Sequence, residues 1–115
     1  MHEISLVQGL LQQLHGIARE NEVNRVVRLT MVIGPLSGVV VDSFKFGFDI
    51  LTQEDELVRD AKLVIEVPPV TFRCSSCGQA EQTGGDRPSQ CSRCGDQLLM
   101  PEGGDDVILQ QVEME

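Results

Sequence analysis

Cys74-Ser75-Ser76-Cys77-Gly78 and Cys91-Ser92-Arg93-Cys94-Gly95, two matched knuckles with thirteen residues between Cys77 and Cys91, contain every cysteine of the chain. Two cysteines separated by two residues can wrap one cation with their thiolates while the amides of the turn point at the sulfurs, and the following glycine supplies the permissive backbone the turn needs. Two such knuckles make a tetrahedral tetrathiolate zinc site, with Cys74, Cys77, Cys91 and Cys94 as ligands. The interval between the knuckles is slightly short for this pattern but long enough for a small hairpin or loop. A disulfide pair is the plain alternative; against it, the N-terminus lacks the layout of a secretory signal, so a reducing, cytoplasmic setting is expected. Redox catalysis fits less well, because both pairs look alike and neither follows a strand and opens a helix. Iron competes chemically for four thiolates, although the chain has no Trp or Tyr to pack around such a centre.

A segment of about 30 residues cannot bury enough apolar surface to fold without its metal, so zinc there is expected to be structural. The rest of the 115 residues suffices for one compact domain. Asp and Glu number 18 against 9 Lys and Arg, giving a formal charge of -9, and such a chain repels polyanions. The knuckle region does not reverse this: Arg73, Arg87 and Arg93 face Glu81, Asp86, Asp96 and Glu102. Nucleic acid is therefore not expected as a partner. No apolar run approaches the roughly 18 residues of a membrane span, so no membrane role is expected either.

Outward from the knuckles, Lys62 to Val67 alternates through Leu63, Ile65 and Val67 and predicts a strand, halted by Pro68-Pro69. Earlier, Val7, Leu10, Leu11, Leu14, Ile17 and Ala18 recur at helical spacing, and Ser5 with Gln8 matches a capping box, which predicts a helix over 5–20. Arg25 to Ile33 alternates, with Val27, Leu29, Met31 and Ile33 on one side, and predicts a half-buried strand ended by Gly34-Pro35. Val41, Phe44, Phe48 and Leu51 return to helical spacing and predict a second helix over 39–52, although Val39-Val40-Val41 could begin as a strand. Beyond Gly103-Gly104, Val107 to Glu113 predicts a last strand, apolar on both faces near its start and therefore expected to be buried in the first lobe's sheet. The expected fold is α+β: a small mixed sheet with two helices, formed by residues 1–69 and 105–115, carrying a zinc-ribbon lobe at 70–104 as an insertion.

Met1-His2-Glu3 holds a second, smaller constellation. The initiator Met is expected to survive, because His2 is too large for its removal. A free α-amine, the His2 amide and imidazole and the Glu3 amide then lie within one chelate, a nitrogen set that suits Ni(II) or Cu(II) in a plane. A histidine at position 2 is by itself more often an ordinary exposed residue.

The whole chain resembles the HypA/HybF family of nickel metallochaperones that mature [NiFe] hydrogenase. The resemblance rests on Met1-His2-Glu3-Ile4-Ser5, Ile33-Gly34-Pro35-Leu36-Ser37, Phe44 with Phe46 and Phe48, Leu63 with Ile65-Glu66, both knuckles, and the closing Val107-Ile108 and Val112-Glu113. It implies nickel bound at the N-terminus through Met1, His2 and Glu3, as a transient Ni(II) cargo, and a structural Zn(II) held by the four cysteines. It also implies as partners a HypB-like GTPase and the [NiFe] hydrogenase large-subunit precursor, with the protein working as a monomer or homodimer. Some relatives carry histidines beside the knuckles; this chain has only His2 and His15, so a histidine-driven ligand change at the zinc site is not implied. Neither is a role with urease.

Other residues carry plainer readings. His15, one turn from Leu11 at the edge of the apolar stripe, is expected to be a half-buried boundary residue, and Glu54-Asp55-Glu56 a solvated turn. The side chain of Glu3 favours the positive end of the first helix. Phe44, Phe46 and Phe48 are expected in the core, any exposed one becoming a candidate partner contact. No catalytic triad, phosphate loop or carboxylate pair can be assembled, and no enzyme activity is expected. Two readings from other classes compete with nickel delivery: a zinc-ribbon adaptor that only bridges proteins, and a thiol redox sensor that ejects zinc on oxidation.

Overall fold

The computed structural model describes residues 2–115, so Met1 lies outside the described residues. The chain parts into two compact units, one of Met1–Val32, Val39–Glu66 and Ile108–Glu115, the other of Ile33–Gly38 and Val67–Val107.

In the first unit, helix α1 (His2–Glu20) and helix α2 (Val41–Thr52) pack on each other. The strands β1 (Val26–Ile33), β2 (Lys62–Glu66) and β6 (Val107–Met114) form a sheet in the order β2-β1-β6. β1 and β2 are parallel, in register from Arg28 opposite Lys62 to Val32 opposite Glu66. A parallel pair needs a crossover, and α2 supplies it. On the other side of β1, Arg25 and Glu115 exchange both backbone hydrogen bonds, at 3.0 and 2.9 Å, the mark of an antiparallel pair, so the sheet is mixed. Val7, Leu10, Leu14 and Ala18 of α1 follow the helical period and are all buried, as are Phe44 and Phe48 of α2 and Val26, Leu29 and Met31 of β1.

Several expectations change. α1 begins at His2, so Ser5 lies inside the helix and Ser5 with Gln8 is not a capping box at its start. α2 begins at Val41; Val40 is extended (φ -85°, ψ 110°) and serves as its N-cap residue. Phe46 is 65% exposed while Phe44 and Phe48 are buried, because two residues along a helix is more than half a turn and turns the middle ring to the opposite side. Val27 is exposed and Val26 and Thr30 buried instead, so both faces of β1 contribute to the interior at its centre. β6 does rejoin the first unit's sheet, but at its edge, where a strand lacks a second neighbour to cover it; Ile108 is 47% exposed.

The second unit is built on β3 (Val70–Cys74), β4 (Ala80–Thr83) and β5 (Leu99–Glu102), in the order β4-β3-β5 with both pairings antiparallel. Pro101 falls on β5, an edge strand, where a missing amide costs no ladder bond. The core is small: Val70, Phe72, Leu99 and two of the cysteines, Cys74 and Cys91. The Arg87 guanidinium sits over the Phe72 ring, 5.4 Å from its centre, and donates to the Leu99 carbonyl. The segment Ile33–Gly38 joins this unit instead of the helical one that the sequence suggested, because Gly34 N–H binds the Asp106 carbonyl at 2.7 Å and Leu36 N–H the Gly104 carbonyl at 2.6 Å. A side chain at Gly34 would place its Cβ 2.3 Å from the Gly104 carbonyl oxygen, which explains the glycine there.

Candidate metal centre

The two knuckles fold the same way. β3 delivers Cys74 to the first; Cys74 N–H donates to the Gln79 carbonyl at 2.9 Å and Gly78 N–H to the Cys74 carbonyl at 3.0 Å. In the second knuckle Cys91 N–H donates to the Asp96 carbonyl at 2.7 Å and Gly95 N–H to the Cys91 carbonyl at 2.9 Å. Both turns close through a left-handed residue, Gly78 at φ 77° and Gly95 at φ 80°, which a side chain would strain.

This repeated turn brings all four sulfurs within 4.8 Å of one another. The Sγ atoms of Cys74 and Cys94 lie 3.5 Å apart and those of Cys77 and Cys91 3.6 Å apart. Disulfides require about 2.05 Å, so these are four separate thiols. A tetrahedral ion with bonds of about 2.3 Å to sulfur sets its ligands about 3.8 Å apart, a separation that the 3.5 and 3.6 Å pairs and the 4.8 Å limit on the whole set bracket, so the donor set suits one such ion. The electrostatics ask for a cation. The amide of Cys94, then that of Arg93, draw the Cys91 thiol down to about 7. At Cys94 the Asp96 amide pulls in the same direction but is outweighed by the Cys74 thiol, burial and the Cys77 and Cys91 thiols, which push it up to about 12. Four thiolates this close repel one another unless positive charge sits among them. The first cysteine of each knuckle is buried and the second, Cys77 or Cys94, is exposed.

Around the sulfurs lies a shell that the sequence analysis missed. Asp96 accepts from the Ser76 hydroxyl and the Leu98 amide, and Glu81 from the hydroxyl and amide of Ser92. Those bonds, the serine hydroxyls first in each case, hold both carboxyls below their ordinary values. Sequence offered only the serines inside the knuckles as a signal.

The second constellation stands in the first turn of α1. His2 is exposed there and Glu3 is buried, while Met1 lies outside the described residues. First-turn amides have no carbonyl partner within their own helix. The Glu3 carboxylate does not serve its own helix alone: it accepts from the Val40 amide at 3.2 Å, capping α2 where Val40 has no side-chain cap. That amide and Glu3's own hold the carboxyl below its ordinary value. Between Glu3, Ile4, Asp42, Ser43 and the exposed Phe46 lies a mostly apolar groove of about 330 Å³. His15 is half-buried, as its spacing suggested, and lies 2.7 Å from Asp55, so the acidic run does more than meet solvent. Among the described residues only the four cysteines gather as a group of three or more metal-ligating side chains, and no helix is long and apolar enough to cross a membrane.

Fold and site together define a small α+β protein with a tetrathiolate metal-binding ribbon. The profile of the HypA family, described as hydrogenase/urease nickel incorporation, metallochaperone, matches residues 1–114, and the chain belongs to that family. It is 35% identical over 116 residues, the full length of both chains, to the hydrogenase maturation factor HypA of Caldanaerobacter subterraneus. It is 35% identical over 114 residues, 99% of each chain, to that of Synechococcus elongatus. A solution structure of a HypA protein superposes with a TM-score of 0.68 at 26% identity, over 100% of this chain and 97% of the other. The solution structure of the nickel metallochaperone HypA from Helicobacter pylori gives 0.65 at 23% identity, over 97% and 96%, a likeness of fold.

Proposed function

We propose that the chain is a cytoplasmic nickel carrier that binds Ni(II) at Met1, His2 and Glu3 and hands it on for maturation of [NiFe] hydrogenase. In this reading the helical unit carries the cargo, and residues 70–104 form a ribbon whose Cys74, Cys77, Cys91 and Cys94 hold a structural Zn(II). Family membership gives the reading its direction. The observation that carries it to residues is the exposed His2 in the first turn of α1, whose imidazole stands beside first-turn amides that have no carbonyl partner within their own helix. Glu3 contributes its amide, its carboxylate being engaged at Val40. A site on the rim of a helix releases by ligand exchange, since an incoming donor can displace one nitrogen at a time.

The receivers of that exchange are a HypB-like GTPase and the [NiFe] hydrogenase large-subunit precursor, met by a monomer or a homodimer. In this reading the role is transfer without catalysis. Cells in which His2→Ala replaces the native chain test this: hydrogenase should stay immature and regain activity when the medium is flooded with nickel. Normal maturation in the variant would favour a zinc-ribbon adaptor.

A further inference from the structure

The knuckles are tied to each other as well as to themselves. Asp96, just after the second knuckle, accepts from the Ser76 hydroxyl of the first through Oδ2 and from the Leu98 amide through Oδ1 at 3.0 Å. The Leu98 carbonyl in turn accepts from the Ser75 amide of the first knuckle at 3.1 Å. Glu81, on β4 after the first knuckle, reaches the second: its Oε1 accepts from the Ser92 amide at 2.9 Å and from the Ser92 hydroxyl. The residue after the first cysteine of each knuckle, Ser75 or Ser92, is thus held through its amide by an acceptor from the opposite half.

Apolar packing cannot set the spacing of the knuckles by itself. The ribbon core has five residues, of which two are the cysteines themselves, and Cys77 and Cys94 stand at the exposed side. Ser76 immediately precedes the exposed Cys77 and Ser92 immediately follows the buried Cys91, and both braces, Ser76 to Asp96 and Ser92 to Glu81, are solvent-exposed hydrogen bonds. Charge does not explain the carboxylates either. Four thiolates around one divalent ion form a negative cluster, which repels a nearby carboxylate, so the hydrogen bonds they accept are what the position supplies.

We propose that Glu81 and Asp96 are positioning residues for the tetrathiolate centre: by cross-linking the knuckles they fix the spacing of the four sulfurs and retard loss of metal from the exposed side. This rests on the zinc reading given above. Glutamine at 81 keeps a carbonyl oxygen where Glu81 Oε1 lies and removes only the charge, whereas alanine removes the brace.

The test follows zinc released from the full-length, zinc-loaded chain into excess EDTA. Glu81→Ala and Asp96→Ala should release zinc about 10-fold faster than the native chain, within the 10- to 100-fold range typical of outer-shell partners, while Glu81→Gln stays close to native. The cobalt-substituted alanine variants should show an altered ligand-field spectrum and the glutamine variant a native one. If the alanine variants do not fold, Ser76→Ala and Ser92→Ala leave both carboxylates in place and should still release zinc faster. Native release rates in the alanine or serine variants would overturn the brace, and equal acceleration by Glu81→Gln and Glu81→Ala would assign the effect to charge instead. A native chain that retains no zinc before EDTA is added would contradict the zinc reading itself.

Discussion

The cysteine cluster and the first turn of α1 are built in opposite ways. At the cluster, four thiols lie within 4.8 Å, two strapped turns repeat the same hydrogen bonds, and two of the cysteines, Cys74 and Cys91, are part of the core of their unit. At the first turn, His2 is exposed and no second group of metal-ligating side chains converges on it among the described residues. A site whose ligands are also core residues cannot lose its ion without losing its fold; a site at a helix end can. On the proposed function, retention and transfer fall on different parts of one chain, and the two sites differ in burial and closure more than in donor strength.

That contrast can be broken at the cluster first. Cys91→Ser, or exhaustive chelation, should abolish zinc binding and unfold residues 67–107 while the helices of the other unit persist, because metal binding by such small units is worth roughly 10 kcal/mol or more of folding free energy. Far-ultraviolet circular dichroism and amide exchange would show whether the helices survive. Global collapse would mean that the helical unit cannot stand without the ribbon. Next comes Gly34→Ala, whose Cβ would press on the Gly104 carbonyl; a loss of about 1–3 kcal/mol is expected, read by denaturant unfolding, with nickel binding unchanged.

Glu3 sharpens the other side of the comparison. Its carboxyl is held below 4.5 chiefly by the Val40 amide, so its contribution is complete above the unfolded value and is lost as the pH falls through the lower, folded one. Glu3→Gln should therefore melt below the native chain at neutral pH, and the two melting curves should converge in strong acid. A constant gap across that range would remove the ionised cap from the account. The smallest effect is expected at Phe46: the exposed ring makes Phe46→Ser worth no more than about 0.5 kcal/mol in stability, with nickel binding unaltered, so any defect in hydrogenase maturation would mark a docking contact.

The ribbon was legible because its chemistry is local. Cys74, Cys77, Cys91 and Cys94 with their glycines dictate the turn whatever surrounds them, and the apolar spacing of Val7, Leu10, Leu14 and Ala18 dictates the buried stripe of α1. What stayed hidden depends on partners distant in sequence. The α1 start at His2 is hidden in the sequence because Ser5 imitates a cap, while Glu3 is engaged at Val40, thirty-seven residues on. Ile108 looked buried because its neighbours are apolar, yet strand order leaves β6 at an edge. The braces of Glu81 and Asp96 depend on how the two knuckles face each other, which spacing alone does not state.

On the proposed function, nickel is carried at the N-terminus and not at the cysteines. Ni(II) titrated into the zinc-loaded native chain, and into a chain with one residue added before Met1, reads this through the visible absorption of planar nickel. The native chain should develop that absorption with one equivalent of nickel while keeping its zinc, and the extended chain should not. Equal absorption from both, or nickel appearing only as zinc is displaced, would contradict it.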